Sequence, residues 1–115
     1  MSSAPAVQQM SPDVCVAGQL DAAALAWAAQ SGFRSIVNNR PDFEGGPDQP
    51  TSASLHEAAR QLGLAYAFLP VSPSVQTQDE IARFGELIAT LPKPILAFCR
   101  SGARSTRLFI AASQG

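Results

Sequence analysis

One short stretch of the chain carries the residue types that nucleophilic chemistry needs. It reads Cys99-Arg100-Ser101-Gly102-Ala103-Arg104-Ser105. A thiol beside cations at a helix N-terminus has its pKa lowered from about 8.5 into the range of roughly 3.5 to 7.5, which makes it a thiolate nucleophile. Gly102 permits backbone angles that let successive N–H groups face one centre and bind an anion. The stretch therefore predicts a cysteine nucleophile in an anion-binding turn.

Within this turn, Cys99 and Arg104 are the candidate catalytic residues, because a guanidinium fork beside a thiolate can orient an anionic substrate. The candidate substrate-binding residues supply backbone N–H groups or further positive charge: Arg100, Ser101, Gly102, Ala103 and Ser105. The competing interpretation is that Cys99 is an inert core cysteine and the arginines only solubilise a surface helix. An apolar strand that runs directly into this pattern favours the functional interpretation.

The elements that must position the turn follow from the hydrophobic pattern. Short apolar runs alternate with helical patterns, which is typical of βαβ units and a parallel sheet. We predict strands at 14–17, 33–37, 65–69 and 95–98, and helices that begin near Asp21, Thr51 or Ser52, Thr77 and Ala103. The predicted fold is a single α/β domain with a small, mostly parallel four- to five-stranded sheet flanked by helices. Ligands of such sheets bind outside the carboxyl ends of the strands, where Cys99 follows the last strand.

Length and composition indicate one ordinary globular domain. The chain has 115 residues, 46% of them hydrophobic and 15% charged, with a formal net charge of −1. We expect a flexible segment over 1–12 and one domain over 13–115. The sequence contains no basic block of the kind that binds nucleic acid. It also contains no apolar stretch as long as the ~20 residues that a helix needs to cross a bilayer. We expect a cytoplasmic protein with free thiols at Cys15 and Cys99, no metal and no cofactor.

The segment 38–50 contains three prolines and two glycines, so it is predicted to be a long loop. Arg40 lies where this loop leaves the second predicted strand, on the edge where Cys99 is expected. It is a candidate anion contact, or else the polar residues around it only fix the loop. Asp42 is a possible general acid. Cys15 is expected to be an inert small hydrophobe, and His56 has no Cys or His at metal-ligand spacing.

Two resemblances bear on function. The run at 99–105 resembles the active loop of single-domain rhodanese sulfurtransferases. Over about residues 10–113 the chain resembles the beta-lactamase hydrolase-like phosphatase domain family of bacteria, on the segments 38–42, 46–50, 69–71 and the C-terminal cysteine loop. This second resemblance implies the fold of dual-specificity phosphatases and a second anion contact at Arg40. The likeness to cysteine-loop enzymes also implies that the Ser105 hydroxyl bonds the Cys99 sulfur.

The cysteine turn departs from the phosphatase signature that this family resemblance implies. That signature has arginine six residues after the cysteine, whereas here Arg104 comes five residues after it. Dual-specificity phosphatases also draw a carboxylic acid from the loop after the preceding strand, and 70–76 contains none. Sulfur transfer needs no such acid, because sulfite and thiolates leave as stable anions.

These residues lead to three hypotheses about function, of which the spacing of the turn and the missing acid favour the first. The first is a sulfurtransferase that moves sulfane sulfur from thiosulfate or a persulfide to a thiol acceptor through a Cys99 persulfide. Its implied partner is a metallo-beta-lactamase-like persulfide dioxygenase. The second is a cysteine-dependent dual-specificity-type phosphatase with a Cys99 phosphocysteine, for which Asp42 is the possible acid. The third is a non-catalytic redox sensor or sulfur carrier.

Overall fold

The computed structural model of the chain describes residues 5–114, and its strands form one five-stranded sheet. The strands are β1 (Val7–Ser11), β2 (Val14–Ala17), β3 (Ser35–Asn38), β4 (Ala65–Phe68) and β5 (Ile95–Phe98). Their spatial order is β1-β2-β5-β3-β4, with β1 antiparallel to β2 and the other neighbours parallel. The predicted α/β fold with a mostly parallel sheet is confirmed.

Four helices cover the sheet: α1 (Ala22–Gln30), α2 (Ser52–Gln61), α3 (Gln78–Thr90) and α4 (Ala103–Gln114). The predicted start signals are confirmed at three of them. Asp21 accepts a hydrogen bond from the Ala24 N–H, and Thr51 caps α2. At α3, Thr77 and Glu80 exchange the two bonds of a capping box.

The core lies in two layers, one on each face of the sheet. Strand β5 is buried along its whole length, and its side chains alternate between the layers, as the period of two requires. Leu96 and Phe98 pack with α1 and α2, whereas Ile95 and Ala97 pack with α3 and α4. Because β5 is the central strand, the residue that follows it is held by structure on both sides.

Strand β1 corrects the prediction of a flexible segment over 1–12. Residues 7–11 pair with β2 through a hairpin, and only residues 1–4 of that segment lie outside the described residues. The strand sits at the edge of the sheet and is mostly exposed, so it lacks the apolar run that marks a central strand. A register shift between Gln9 and Ser11 further obscures the alternation.

Among the described residues, no helix is both long and apolar enough to cross a bilayer.

Candidate active site around Cys99

Parallel pairing brings three chain segments to one edge of the sheet. Phe98 at the end of β5 is in register with Ala17 of β2 and Asn38 of β3. The residues after each strand are tied together by the backbone: the Cys99 N–H donates to the Ala17 oxygen at 3.3 Å, and the Asn39 N–H donates to the Phe98 oxygen at 2.8 Å. The turn after β5 and the loop after β3 therefore lie side by side at one edge of the sheet, as the sequence predicted.

The Cys99 side chain lies at the centre of the turn, where backbone N–H groups surround its sulfur. The Gly102 N–H donates to the Sγ atom at 3.1 Å, and the residue is 1% exposed. Burial alone would raise the pKa of the Cys99 thiol, but N–H groups of 101, 102, 104 and 105 outweigh it and lower the pKa below its ordinary value. The sulfur is thereby poised as a nucleophile.

Gly102 gives the turn its curvature. Its φ of +95° lies in the region that residues with a Cβ rarely adopt. A Cβ at this position would also lie 3.4 Å from the Ala17 carbonyl group. That distance is an ordinary van der Waals contact, so it is the positive φ that calls for glycine here, while the Gly102 N–H faces the sulfur.

The structure corrects the expected role of the Ser105 hydroxyl. It donates to Asn39 Oδ1 at 2.8 Å instead of to the Cys99 sulfur, while the Ser105 backbone N–H is among the groups that lower the Cys99 pKa. Asn39 is fully buried, and its Nδ2 donates to the Leu69 oxygen at 3.0 Å. This amide ties the reactive turn to the loops after β3 and β4, a fixing role that the sequence left open.

Arg104 is buried under the turn, with 5% exposure, and its guanidinium links three loops. Its Nη1 donates to the Val71 oxygen at 3.0 Å, and its Nη2 donates to Glu44 Oε1 at 3.1 Å. Arg40 donates from Nε to the same Glu44 oxygen at 2.9 Å and from Nη1 to Gln19 at 3.0 Å. One carboxylate oxygen thus holds both arginines beside the site.

Glu44 is the residue of this cluster that the sequence did not indicate. Burial would raise its pKa, but hydrogen bonds and positive charge from Arg104 and Arg40 lower it below the ordinary value. Glu44 is therefore ionised at neutral pH. A carboxylate four residues after Arg40 was the available signal, but that spacing predicts a pair only in a helix, and these residues lie in an irregular loop.

A cavity of about 200 Å³ opens above the sulfur. Its lining residues are Pro73, Cys99, Arg100, Ser101, Ala103, Arg104 and Arg107. Three of these side chains are cationic and none is acidic. The cavity therefore suits a small anion, with the thiolate at its base and arginines along its walls.

Asp42 does not join this cluster. Its Oδ1 accepts a hydrogen bond of 2.7 Å from the Ser52 N–H, so it fixes the loop to the start of α2. Cys15 is a free thiol on β2, and burial raises its pKa. No group of three or more His, Cys, Asp or Glu residues suited to a metal occurs in the part of the chain that the structure describes.

The sequence matches the family described as beta-lactamase hydrolase-like protein, phosphatase-like domain, over residues 6–115. It is 43% identical over 81 residues to a beta-lactamase hydrolase-like protein of Xylella fastidiosa, covering 70% of this chain. The Agrobacterium fabrum protein of the same name is 36% identical over 95 residues, covering 83% of this chain. The chain spans only 19% and 22% of the length of these curated relatives.

Solved structures give the same assignment. A protein of Neisseria meningitidis that is provisionally named a phosphatase superposes with a TM-score of 0.81 at 29% identity, over 88% of this chain and 71% of its own. These findings agree with the resemblance carried by 38–42, 46–50 and 69–71. The chain belongs to the family of beta-lactamase hydrolase-like phosphatase-like domains and has the fold of cysteine phosphatases.

Proposed function

We propose that the chain hydrolyses phosphate monoesters through a phosphocysteine on Cys99. The observation that carries the proposal is the Cys99 sulfur, which has a lowered pKa at the base of an arginine-lined cavity. Membership of a phosphatase-like family and the fold of cysteine phosphatases support the same reaction class. This choice reverses the preference for sulfur transfer that the sequence suggested.

The reaction takes two displacement steps at phosphorus. The Cys99 thiolate attacks, a P–S bond forms, the ester P–O bond breaks, and the alcohol leaves as an alkoxide or phenolate. Water then attacks the phosphocysteine, releases inorganic phosphate and restores the thiolate. Backbone N–H groups of the turn, which already face the sulfur, stabilise the oxygens of the transferred phosphoryl group in both steps.

The leaving group receives no obvious proton from the protein. Glu44 is ionised between its two arginines, Asp42 bonds to the start of α2, and the segment 70–76 contains no carboxylate. We therefore expect a strong preference for substrates whose leaving groups are stable as anions, such as aryl phosphates over alkyl phosphates. The comparison to make is kcat/KM for nitrophenyl phosphate and for a simple alkyl phosphate.

Sulfur transfer is the second candidate, because of one specific feature: Arg104 stands five residues after Cys99, as in the rhodanese-type loop. In that reaction the thiolate attacks the outer sulfur of thiosulfate, the S–S bond breaks and sulfite leaves. The resulting Cys99 persulfide passes its sulfur to an acceptor thiol or to cyanide. A persulfide dioxygenase partner is expected only if the chain transfers sulfur.

The test is a parallel assay of one purified sample with nitrophenyl phosphate and with thiosulfate plus cyanide. The proposal expects nitrophenolate release that is lost in Cys99→Ser and kept in Cys15→Ser. Thiocyanate formation that depends on Cys99, without phosphate release, contradicts the proposal and establishes sulfur transfer. If neither product forms, both enzymatic hypotheses are wrong. Stoichiometric labelling of Cys99 would then indicate a sensor or carrier.

A further inference from the structure

A second cavity adjoins the one above Cys99 and has no role in the proposed reaction. It encloses about 440 Å³ and is lined by Arg40, Glu44, Gly45, Pro73, Arg100 and Arg104. Pro73, Arg100 and Arg104 also line the cavity above the sulfur, so the two cavities are neighbours that share these residues. Three arginines and one glutamate are among the lining residues, which gives this second cavity a net positive lining.

Both buried arginines have N–H groups for which the described residues supply no acceptor. Arg104 Nε is buried and has no hydrogen-bond partner within the described residues, which is costly unless something else accepts its proton. Arg40 is 8% exposed and uses Nε and Nη1 for Glu44 and Gln19. Its Nη2 lies against Gly45, where even a Cβ would come within 2.6 Å of it. The absence of a side chain at Gly45 therefore makes room for this guanidinium against the loop.

Glu44 holds the arginines in position without taking all of their hydrogen bonds. A single oxygen, Oε1, accepts from both Arg40 and Arg104. Its side chain is 22% exposed, whereas both arginine side chains are more deeply buried. The carboxylate therefore fixes two guanidinium groups side by side, and their remaining donors suit an incoming anion.

We propose that this second cavity binds a second anionic group of the substrate. The inference rests on the proposed function for the first group, which places a phosphate above Cys99. The substrate class is then a small phosphate ester or anhydride that carries another phosphate or a carboxylate close to the reacting phosphate. An apolar group in the same place would supply no acceptor for these guanidinium N–H groups, and a neutral polar group would not balance the net positive charge of the lining.

The test measures binding to the Cys99→Ser protein by calorimetry, with inorganic phosphate and pyrophosphate as probes. We expect pyrophosphate to bind at least about tenfold more tightly than phosphate, because one additional hydrogen bond between charged groups gives about that difference in affinity. The further change Arg40→Gln should reduce this ratio to about one. Arg107→Gln is the matched control, because Arg107 lines the cavity above the sulfur but not the second cavity, so its loss should preserve the ratio.

Two further comparisons distinguish loss of the second anion contact from a folding defect and from failure of the proposed reaction. If pyrophosphate binds no more tightly than phosphate before Arg40 is changed, the proposal is wrong whatever Arg40→Gln does to folding. Replacing pyrophosphate by 2-phosphoglycolate distinguishes a carboxylate from a phosphate as the second group. If the wild-type chain hydrolyses nitrophenyl phosphate but the ratio stays near one, only this inference fails. An Arg40-dependent ratio without any hydrolysis overturns only the proposed reaction.

Discussion

At the scale of single residues, the lowered pKa of Cys99 is caused by backbone N–H groups, whereas the sequence had suggested that nearby arginine side chains would lower it. Four N–H groups of the turn lower its pKa against the effect of burial. The Arg104 guanidinium bonds to the Asn39 and Val71 carbonyl oxygens and to Glu44. The sequence therefore predicted the direction of the pKa shift correctly, but it could not show which donors face the sulfur.

We expect Cys99 to titrate below the ordinary thiol value of about 8.5. The measurement is the ultraviolet absorbance of the thiolate in the Cys15→Ser variant as the pH is raised. The Cys99→Ser variant is the control, in which the remaining Cys15 should titrate above the ordinary value because burial raises its pKa. A Cys99 midpoint at or above the ordinary value would show that the turn does not stabilise the thiolate.

Glu44→Gln is expected to destabilise the fold by about 2 kcal/mol at neutral pH, because the amide keeps an acceptor oxygen but removes the negative charge that two buried arginines share. The native pKa of Glu44 is lowered, so its stabilisation is complete above the unfolded-state pKa of about 4.3 and is lost as the pH falls through the native value. The difference between wild type and variant in the free energy of unfolding should therefore shrink in acid.

Urea unfolding at several pH values measures this difference. Glu86→Gln is the matched control, because Glu86 pairs with Arg83 at 3.8 Å on an exposed face of α3. Equal stability of the two variants at neutral pH would contradict the role assigned to Glu44.

At the scale of elements, the conformation of the turn after β5 is fixed by its contacts with the neighbouring loops and with the end of β2. Asn39 and Val71 connect the loops after β3, β4 and β5 by hydrogen bonds, and Gly102 packs the turn against the end of β2. Helix caps stabilise the same fold from outside the site. Substitutions at the turn and at a cap should therefore differ in their effect on Cys99 even where their cost in stability is similar.

Gly102→Ala is expected to cost about 1 to 2 kcal/mol and to raise the Cys99 pKa, because alanine disfavours a φ of +95°. Thr77→Ala removes the cap of α3, should cost about 1 kcal/mol, and should leave the Cys99 pKa unchanged. Urea unfolding and thiolate titration of both variants make the comparison. Identical Cys99 titrations in the two variants would contradict the role of the glycine.

The pattern of hydrophobic residues predicted the central strands and the helix starts, because burial on both faces of β5 and capping at Asp21, Thr51 and Thr77 leave local signals. Strand β1 left none, since an exposed edge strand needs no apolar run. Glu44 and the Ser105–Asn39 bond depend on contacts between loops that are distant in sequence. Residue types indicated Cys99 as the candidate nucleophile, whereas the contacts around it depend on how the sheet brings the loops together.

At the scale of the whole molecule, the fold places every element of the proposed chemistry at the carboxyl edge of one sheet. The two core layers fix β5, and the cavities above Cys99 and beside Arg40 open at its end. The same sheet edge serves either phosphoryl or sulfur transfer, because both need a thiolate and an anion site. The species that forms on Cys99 is therefore what separates the two accounts.

The most direct measurement is the intact mass of the protein after a rapid acid quench during turnover of nitrophenyl phosphate. If the chain acts through a Cys99 phosphocysteine, we expect a phosphoryl group on the wild-type protein and none on Cys99→Ser. Peptide mapping should locate the group on Cys99. A parallel quench with thiosulfate is expected to leave the mass unchanged. A persulfide on Cys99 in the thiosulfate sample, with no phosphoryl adduct in the other, would contradict the account.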